Sequence, residues 1–160
     1  MGNEGNLFVN QDGDGDQFFS QVRAFMIMDG SLVDISNTAR DAGIKYEVAV
    51  TAAVWRRYIE WSYADRVKQV DQNTEDRLRN VVFMLAWRLR RVGAFTSSVH
   101  YCLQVVPRDG FATVQHKVRL KAVVHYGSDS YNTGLDRDQD LEDHCSTSIT
   151  IMLPEEDCPW

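Results

Sequence analysis

The chain has 160 residues, is 44% hydrophobic, and carries a formal charge of −6 from 17 basic and 23 acidic side chains. That length suits one domain, and the apolar fraction suits a buried core, which excludes a disordered chain. The charge is segregated: residues 17–128 sum to +6 and the two ends together to −12, so neither a uniformly basic nor a uniformly acidic protein is at hand.

In chain order, residues 1–16 are rich in Gly, Asn and Asp and read as an acidic leader. Gln17 to Met28 carries Phe18, Val22, Phe25 and Met26 at helical spacing, with Asp16 placed to cap the helix and Gly30 to end it. Ser31 to Ile35 reads as a short extended piece, and a short helix comes next, closed by Gly43. Val48 to Trp61 is apolar and helix-compatible, with Thr51 placed as a cap. It puts Val54, Tyr58 and Trp61 on a core face. Tyr63 to Asn73 reads as a polar connection.

Thr74 opens the best-marked helix. Glu75 and Asp76 sit in its first turn and Arg88, Arg90 and Arg91 in its last, matching the helix dipole at both ends. Leu78, Val81, Val82, Leu85 and Leu89 repeat at helical spacing, and Gly93 ends the run. The period then changes from helix to strand. Val99, Tyr101, Leu103 and Val105 oppose Ser98, His100, Cys102 and Gln104. After the turn signal Pro107-Arg108-Asp109-Gly110, a second alternating arm runs from Val114 to Tyr126 and directs Gln115, Lys117, Arg119 and Lys121 outward. An acidic loop spans 128–144, Ser146 to Leu153 returns to strand, and 158–160 is a tail.

Helices first and strands second predict an α+β fold, with three or four N-terminal helices packed on one face of a small C-terminal antiparallel sheet. The single domain spans 17–157. Alternation in both hairpin arms implies that the second sheet face meets solvent or a partner. No stretch approaches the ~18 apolar residues of a membrane span, and no signal-peptide pattern is visible. Three cysteines, Cys102, Cys145 and Cys158, without a C-x-x-C, read as reduced thiols of a cytoplasmic protein.

The run Asp29-Gly30-x-Leu32-Val33-Asp34-Ile35-Ser36-x-Thr38-Ala39-Arg40-x-Ala42-Gly43, continuing through Lys45-Tyr46 and Val48-Ala49-Val50-Thr51 to Val54-Trp55, resembles a small domain family of unknown function found in bacteria, phages and other mobile elements. Ile59-x-Trp61, the Val106 to Gly110 turn and the ending Ile149-Thr150-Ile151-Met152-Leu153-Pro154-Glu155-Glu156-Asp157 extend the resemblance over roughly 17–157. It implies a setting and no particular chemistry.

Several motifs bear on chemistry. Ala39, Gly43, Ile44 and Ala49 approach helix-turn-helix spacing, but the exposed positions after them are poor in base-reading side chains. The Asp-rich leader and Asp136, Asp138 and Asp140 imitate half of a calcium loop without its closing Glu, so no metal is assigned and no cofactor is implied. His100 and Cys102 share a strand face and make a thiol or metal-dependent hydrolase the third-ranked reading. No catalytic motif is present, and the chain reads as a non-enzyme.

The leading expectation is an accessory protein of a phage or mobile element that binds a host or element-encoded protein or nucleoprotein. An inhibitor of host defence, anti-CRISPR-like or anti-restriction, is its specific form. The acidic surface would comprise Asp129, Asp136, Asp138, Asp140, Glu142, Asp143, Glu155, Glu156 and Asp157. The alternative is a nucleic-acid-binding regulator using Arg56, Arg57, Arg88, Arg90, Arg91, Lys117, Arg119 and Lys121.

Overall fold

A computed structural model describes residues 12–92, 96–127 and 147–157. Five strands make one sheet: β1 (Leu32–Asp34), β2 (Glu47–Thr51), β3 (Ser98–Val105), β4 (His116–His125) and β5 (Ser148–Met152), in the spatial order β1-β2-β5-β4-β3. The helices are α1 (Asp12–Met28), α2 (Ser36–Asp41), α3 (Ala52–Val54) running into a π-helical turn (Trp55–Ile59), α4 (Tyr63–Lys68) and α5 (Thr74–Leu89).

The α+β class holds, but the division into N-terminal helices and a C-terminal antiparallel sheet holds only in part. Strands β1 and β2 come from the N-terminal half, and β2 pairs in parallel with β5, Val48 opposite Ile149 and Val50 opposite Ile151. The other pairings are antiparallel. The expected helix over Val48 to Trp61 is therefore strand β2 followed by α3 and the π turn. Val48, Ala49 and Val50 are buried on both faces, and a continuous apolar run of this kind has no period that tells strand from helix. Thr51 does cap α3, its Oγ1 accepting the Val54 N–H at 3.3 Å. The strand also removes the helix-turn-helix reading, since the chain after Gly43 enters β2.

Packing obeys the alternation. One sheet face carries Val48, Val50, Ile149, Ile151, Leu120, Ala122, Tyr101 and Leu103, and α5 covers it with Val81, Val82, Leu85 and Ala86 in a single core. Tyr101 carries its hydroxyl into this core without a hydrogen-bond partner, and burial pushes that phenol up.

Helix α1 is not on that side. It lies across the opposite face, where buried Arg23 donates from Nη1 to Thr150 Oγ1 (2.8 Å) and from Nη2 to the Ile149 carbonyl (3.1 Å), and Phe19 packs on His125. Burial lowers the pKa of Arg23, against the nearby charges of Glu47 and Asp34. The helix begins at Asp12, so the leader boundary at residue 16 falls inside it and Asp16 is not its cap. At its far end Gly30 adopts φ +84°, the left-handed geometry expected of a C-terminal glycine.

Candidate nucleic-acid interface

Helix α1 reaches β1, β2, β5 and the end of β4, and among the described residues no other element covers the remaining part of the second sheet face. There β3 and β4 stand side by side in register: His100 opposite Lys121, Cys102 opposite Arg119, and Gln104 opposite Lys117. Alternate residues of a strand share a face and repeat about every 7 Å, so Lys117, Arg119 and Lys121 form a straight row. His100, Gln104, Lys117 and Arg119 are exposed, and Cys102 and Lys121 are half-buried. No acidic residue occurs in either strand. The row is thus a strip of positive charge with no carboxylate on β3 or β4 to neutralise it, a spacing and sign suited to successive phosphates.

At one end the strip meets the chain that leaves β5. Lys121 Nζ donates to the carbonyls of Pro154 and Glu156. On the other side of that turn Arg57 pairs with Glu155 at 3.5 Å, both largely exposed. Arg57 is thus tied to the 154–156 turn, while its π turn packs against the core on the α5 side. The remaining predicted basic residues do not join the strip. Arg88, Arg90 and Arg91 end α5 on the opposite side of the molecule, where Arg90 Nη2 donates to the Ala42 carbonyl (3.1 Å) and Arg91 stacks over Trp87 (3.9 Å to the ring centroid). The eight residues expected to make one basic surface are therefore divided: Lys117, Arg119 and Lys121 share the strip, and Arg88, Arg90 and Arg91 lie on the other side of the sheet.

The acidic surface is placed only at its end. Asp129, Asp136, Asp138, Asp140, Glu142 and Asp143 lie outside the described residues, as do Gly93, His144, Cys145 and Cys158. Of the acidic tail, Glu156 works inside the fold: its Oε2 accepts the Leu153 N–H (2.7 Å) and the Thr51 hydroxyl (2.9 Å). Glu155 pairs with Arg57, and Asp157 is exposed. His100 and Cys102 do share the strip face, with no hydrogen bond between them.

A cleft of about 410 Å³ runs beneath α1, lined among others by Phe19, Arg23, Asp34, Glu47, His125 and Ser148. Arg23 Nε and His125 Nε2, on two of these lining residues, are buried without hydrogen-bond partners. Among the described residues no group of three or more His, Cys, Asp or Glu side chains is arranged to hold a metal ion.

The sequence reading missed an exposed aromatic residue on the same hairpin. Phe111, in the connection between β3 and β4, is 89% exposed. Its signal was available: an aromatic directly after Pro107-Arg108-Asp109-Gly110 sits where a turn offers nothing to pack against. The turn itself is firmly held. Asp109 Oδ1 accepts the N–H groups of Phe111 (2.8 Å) and Ala112 (2.7 Å). Gln69 Nε2 donates to the carbonyls of Pro107 (2.8 Å) and Ala112 (2.7 Å), and its Oε1 accepts the Gly110 N–H (3.0 Å). The backbone bonds from Ala112 and Phe111 hold the Asp109 carboxyl below its ordinary range. Arg108 is drawn to the other side, bonding Asp65 (2.7 Å) and Glu60.

No family model, curated protein or solved structure matches the chain, so the likeness of the Asp29 to Trp55 run to a mobile-element family rests on its residues. Among the described residues no helix is long and apolar enough to cross a membrane.

Proposed function

We propose that this chain is a non-enzymatic nucleic-acid-binding module that follows a phosphate backbone along Lys117, Arg119 and Lys121 of β4. The observation that carries the reading is the strip itself: three cations on alternate positions of one strand, Lys117 and Arg119 exposed and Lys121 half-buried, no carboxylate on either strand and, among the described residues, no helix over them. Phosphate contacts of this kind supply sequence-independent affinity and position the ligand.

This reading has more support than the acidic one. Of the acidic residues that the structure describes, Glu156 is bonded within the fold and Glu155 is paired to Arg57. Hydrolysis at His100 and Cys102 has no supporting contact. On the strength of the sequence motif, we read the module as a cytoplasmic accessory protein of a phage or mobile element in a bacterial host. Interference with a host defence nucleoprotein is the most specific form of that role.

The test is fluorescence anisotropy with labelled DNA and RNA of about twenty nucleotides across roughly 50–200 mM salt. Binding is expected to weaken steeply with salt. Each single charge removed (Lys117→Gln, Arg119→Gln, Lys121→Gln) should lower the magnitude of the log–log salt slope by about 0.7–0.9. Absence of binding at the lowest salt, or a slope indifferent to all three changes, overturns the reading.

A further inference from the structure

The β3–β4 connection presents Phe111 in an unusual way. Solvent-exposed phenylalanines are commonly tolerated on mobile tips, where nothing constrains them. Here the opposite holds. Two side chains, Asp109 and Gln69, spend five hydrogen bonds on the backbone of residues 107–112, four of them at 2.8 Å or less. Gly110, with φ +83°, allows the sharp reversal that brings its N–H to Gln69. The result is an aromatic ring held on a fixed base and left 89% in water. Val114, in the same connection, is also exposed at 64%. The fold gains nothing from burying this ring. A fixed backbone does, however, reduce the ordering cost that a partner would meet on binding it.

The chemistry of that partner is indicated by what lies on the same hairpin. The ladder between β3 and β4 ends at the pair Val105 and His116. Phe111 lies in the loop that closes this end, and Lys117 is the next residue of β4 after His116. The cationic row and the aromatic ring thus stand on one hairpin, the ring in the connection that follows the Lys117 end of the row. Phosphates are shared by single and double strands, but a flat apolar surface is useful only to a base whose face is available. Proteins that hold single strands combine these two elements, a positive track and aromatic platforms.

We propose that Phe111 is a base-stacking residue and that the ligand of the Lys117–Lys121 strip is a single-stranded nucleic acid. The inference rests on the nucleic-acid-binding reading and specifies its ligand. Asp109 and Gln69 are positioning residues: they touch no ligand and set the ring.

The experiment compares a labelled oligo(dT) of about twenty nucleotides with a duplex of equal length, using the full chain. Phe111→Ala should weaken oligo(dT) binding by roughly 5- to 150-fold, the range for one lost base–aromatic stack, with the salt slope unchanged because no charge is lost. Phe111→Trp should restore affinity, and its emission should be quenched on binding. Asp109→Ala should weaken oligo(dT) binding while thermal melting confirms the fold. Equal affinity of Phe111→Ala and the unaltered chain for oligo(dT), or tighter binding to the duplex, overturns this inference and leaves the phosphate-track reading in place. If neither nucleic acid binds at low salt, both fall together.

Discussion

The guanidinium of Arg77 lies over the indole of Trp61, its central carbon 4.3 Å from the ring centroid. From there Nε donates to the Ile59 carbonyl (3.2 Å), and Nη1 to the Val106 carbonyl (3.0 Å) and Gln72 Oε1 (2.6 Å). One buried side chain on α5 thus joins the π turn to the segment that leaves β3. Burial pulls Arg77 down to about 10, opposed by the charge of Asp65. Replacement by Leu leaves two buried carbonyls unpaired, each costing about 1–3 kcal/mol. We expect Arg77→Leu to lose about 2–5 kcal/mol in urea unfolding. Arg77→Lys should fall between, since an ammonium lacks the planar fork. A loss within error for Leu would mean that the carbonyls find other donors.

Asp65 gives the molecule an acid limit. Burial alone would raise its pKa, but hydrogen bonds from the side chain and backbone of Ser62, together with Arg108, outweigh it and hold the carboxyl low. A folded-state pKa below the unfolded value means stabilisation that is present above the ordinary Asp value of about 3.9 and is lost as pH falls through the lower folded value. Thermal melts should show Asp65→Asn well below the unaltered chain at neutral pH, with the gap closing below about pH 3.9. A gap that stays constant into acid would assign the loss to packing instead.

The two neighbouring glutamates of the tail should behave differently. Glu156→Ala removes the acceptor of both the Leu153 N–H and the Thr51 hydroxyl, so a loss of about 1–2 kcal/mol is expected. Glu155→Ala breaks only an exposed pair with Arg57, worth about 0–1 kcal/mol. Chemical denaturation of the two single variants decides this. Equal effects would show that Glu156 is no more than a surface charge.

The end of α5 serves as an internal control for the interface. Trp87, Arg90 and Arg91 lie on the far side of the sheet from Lys117 to Lys121, and charges separated by more than a Debye length of about 8 Å are largely screened at physiological salt. Arg90→Gln with Arg91→Gln should leave nucleic-acid affinity within about twofold at that salt. A loss comparable to that of Lys117→Gln would move the site to the helix.

Whether an element is legible in the sequence depends on whether its determining contact is local. Helix α5 is legible because Val81, Val82 and Leu85 repeat on one face and its end charges agree with the dipole. The hairpin and its cationic row are legible because period two is visible over eight or more residues. Helix α4 is not, because it buries no residue and so leaves no apolar period. Its marker is the reciprocal cap between Ser62 and Asp65. Helix α1 packs on the unexpected side of the sheet because its core-facing anchor is Arg23 rather than an aliphatic residue. The duty of Glu156 and the parallel partner of β2 are out of reach, since Thr51 and Ile149 become neighbours of these segments only in three dimensions.

The place of β5 has a consequence for how the molecule is made. This strand stands between β2 and β4, although it is synthesised last of the five, with Ile149 emerging about a hundred residues after its neighbour Val48. Without it, β2 and β4 each present a strand edge lacking its partner. An apolar unpaired edge such as Val48 to Thr51 is a template for association with other chains. A chain stopped before Ser148 should therefore not yield a smaller folded domain. It should yield a chain with two unpaired strand edges, prone to association, so production of such a chain in the cell ought to depend sharply on chaperone supply.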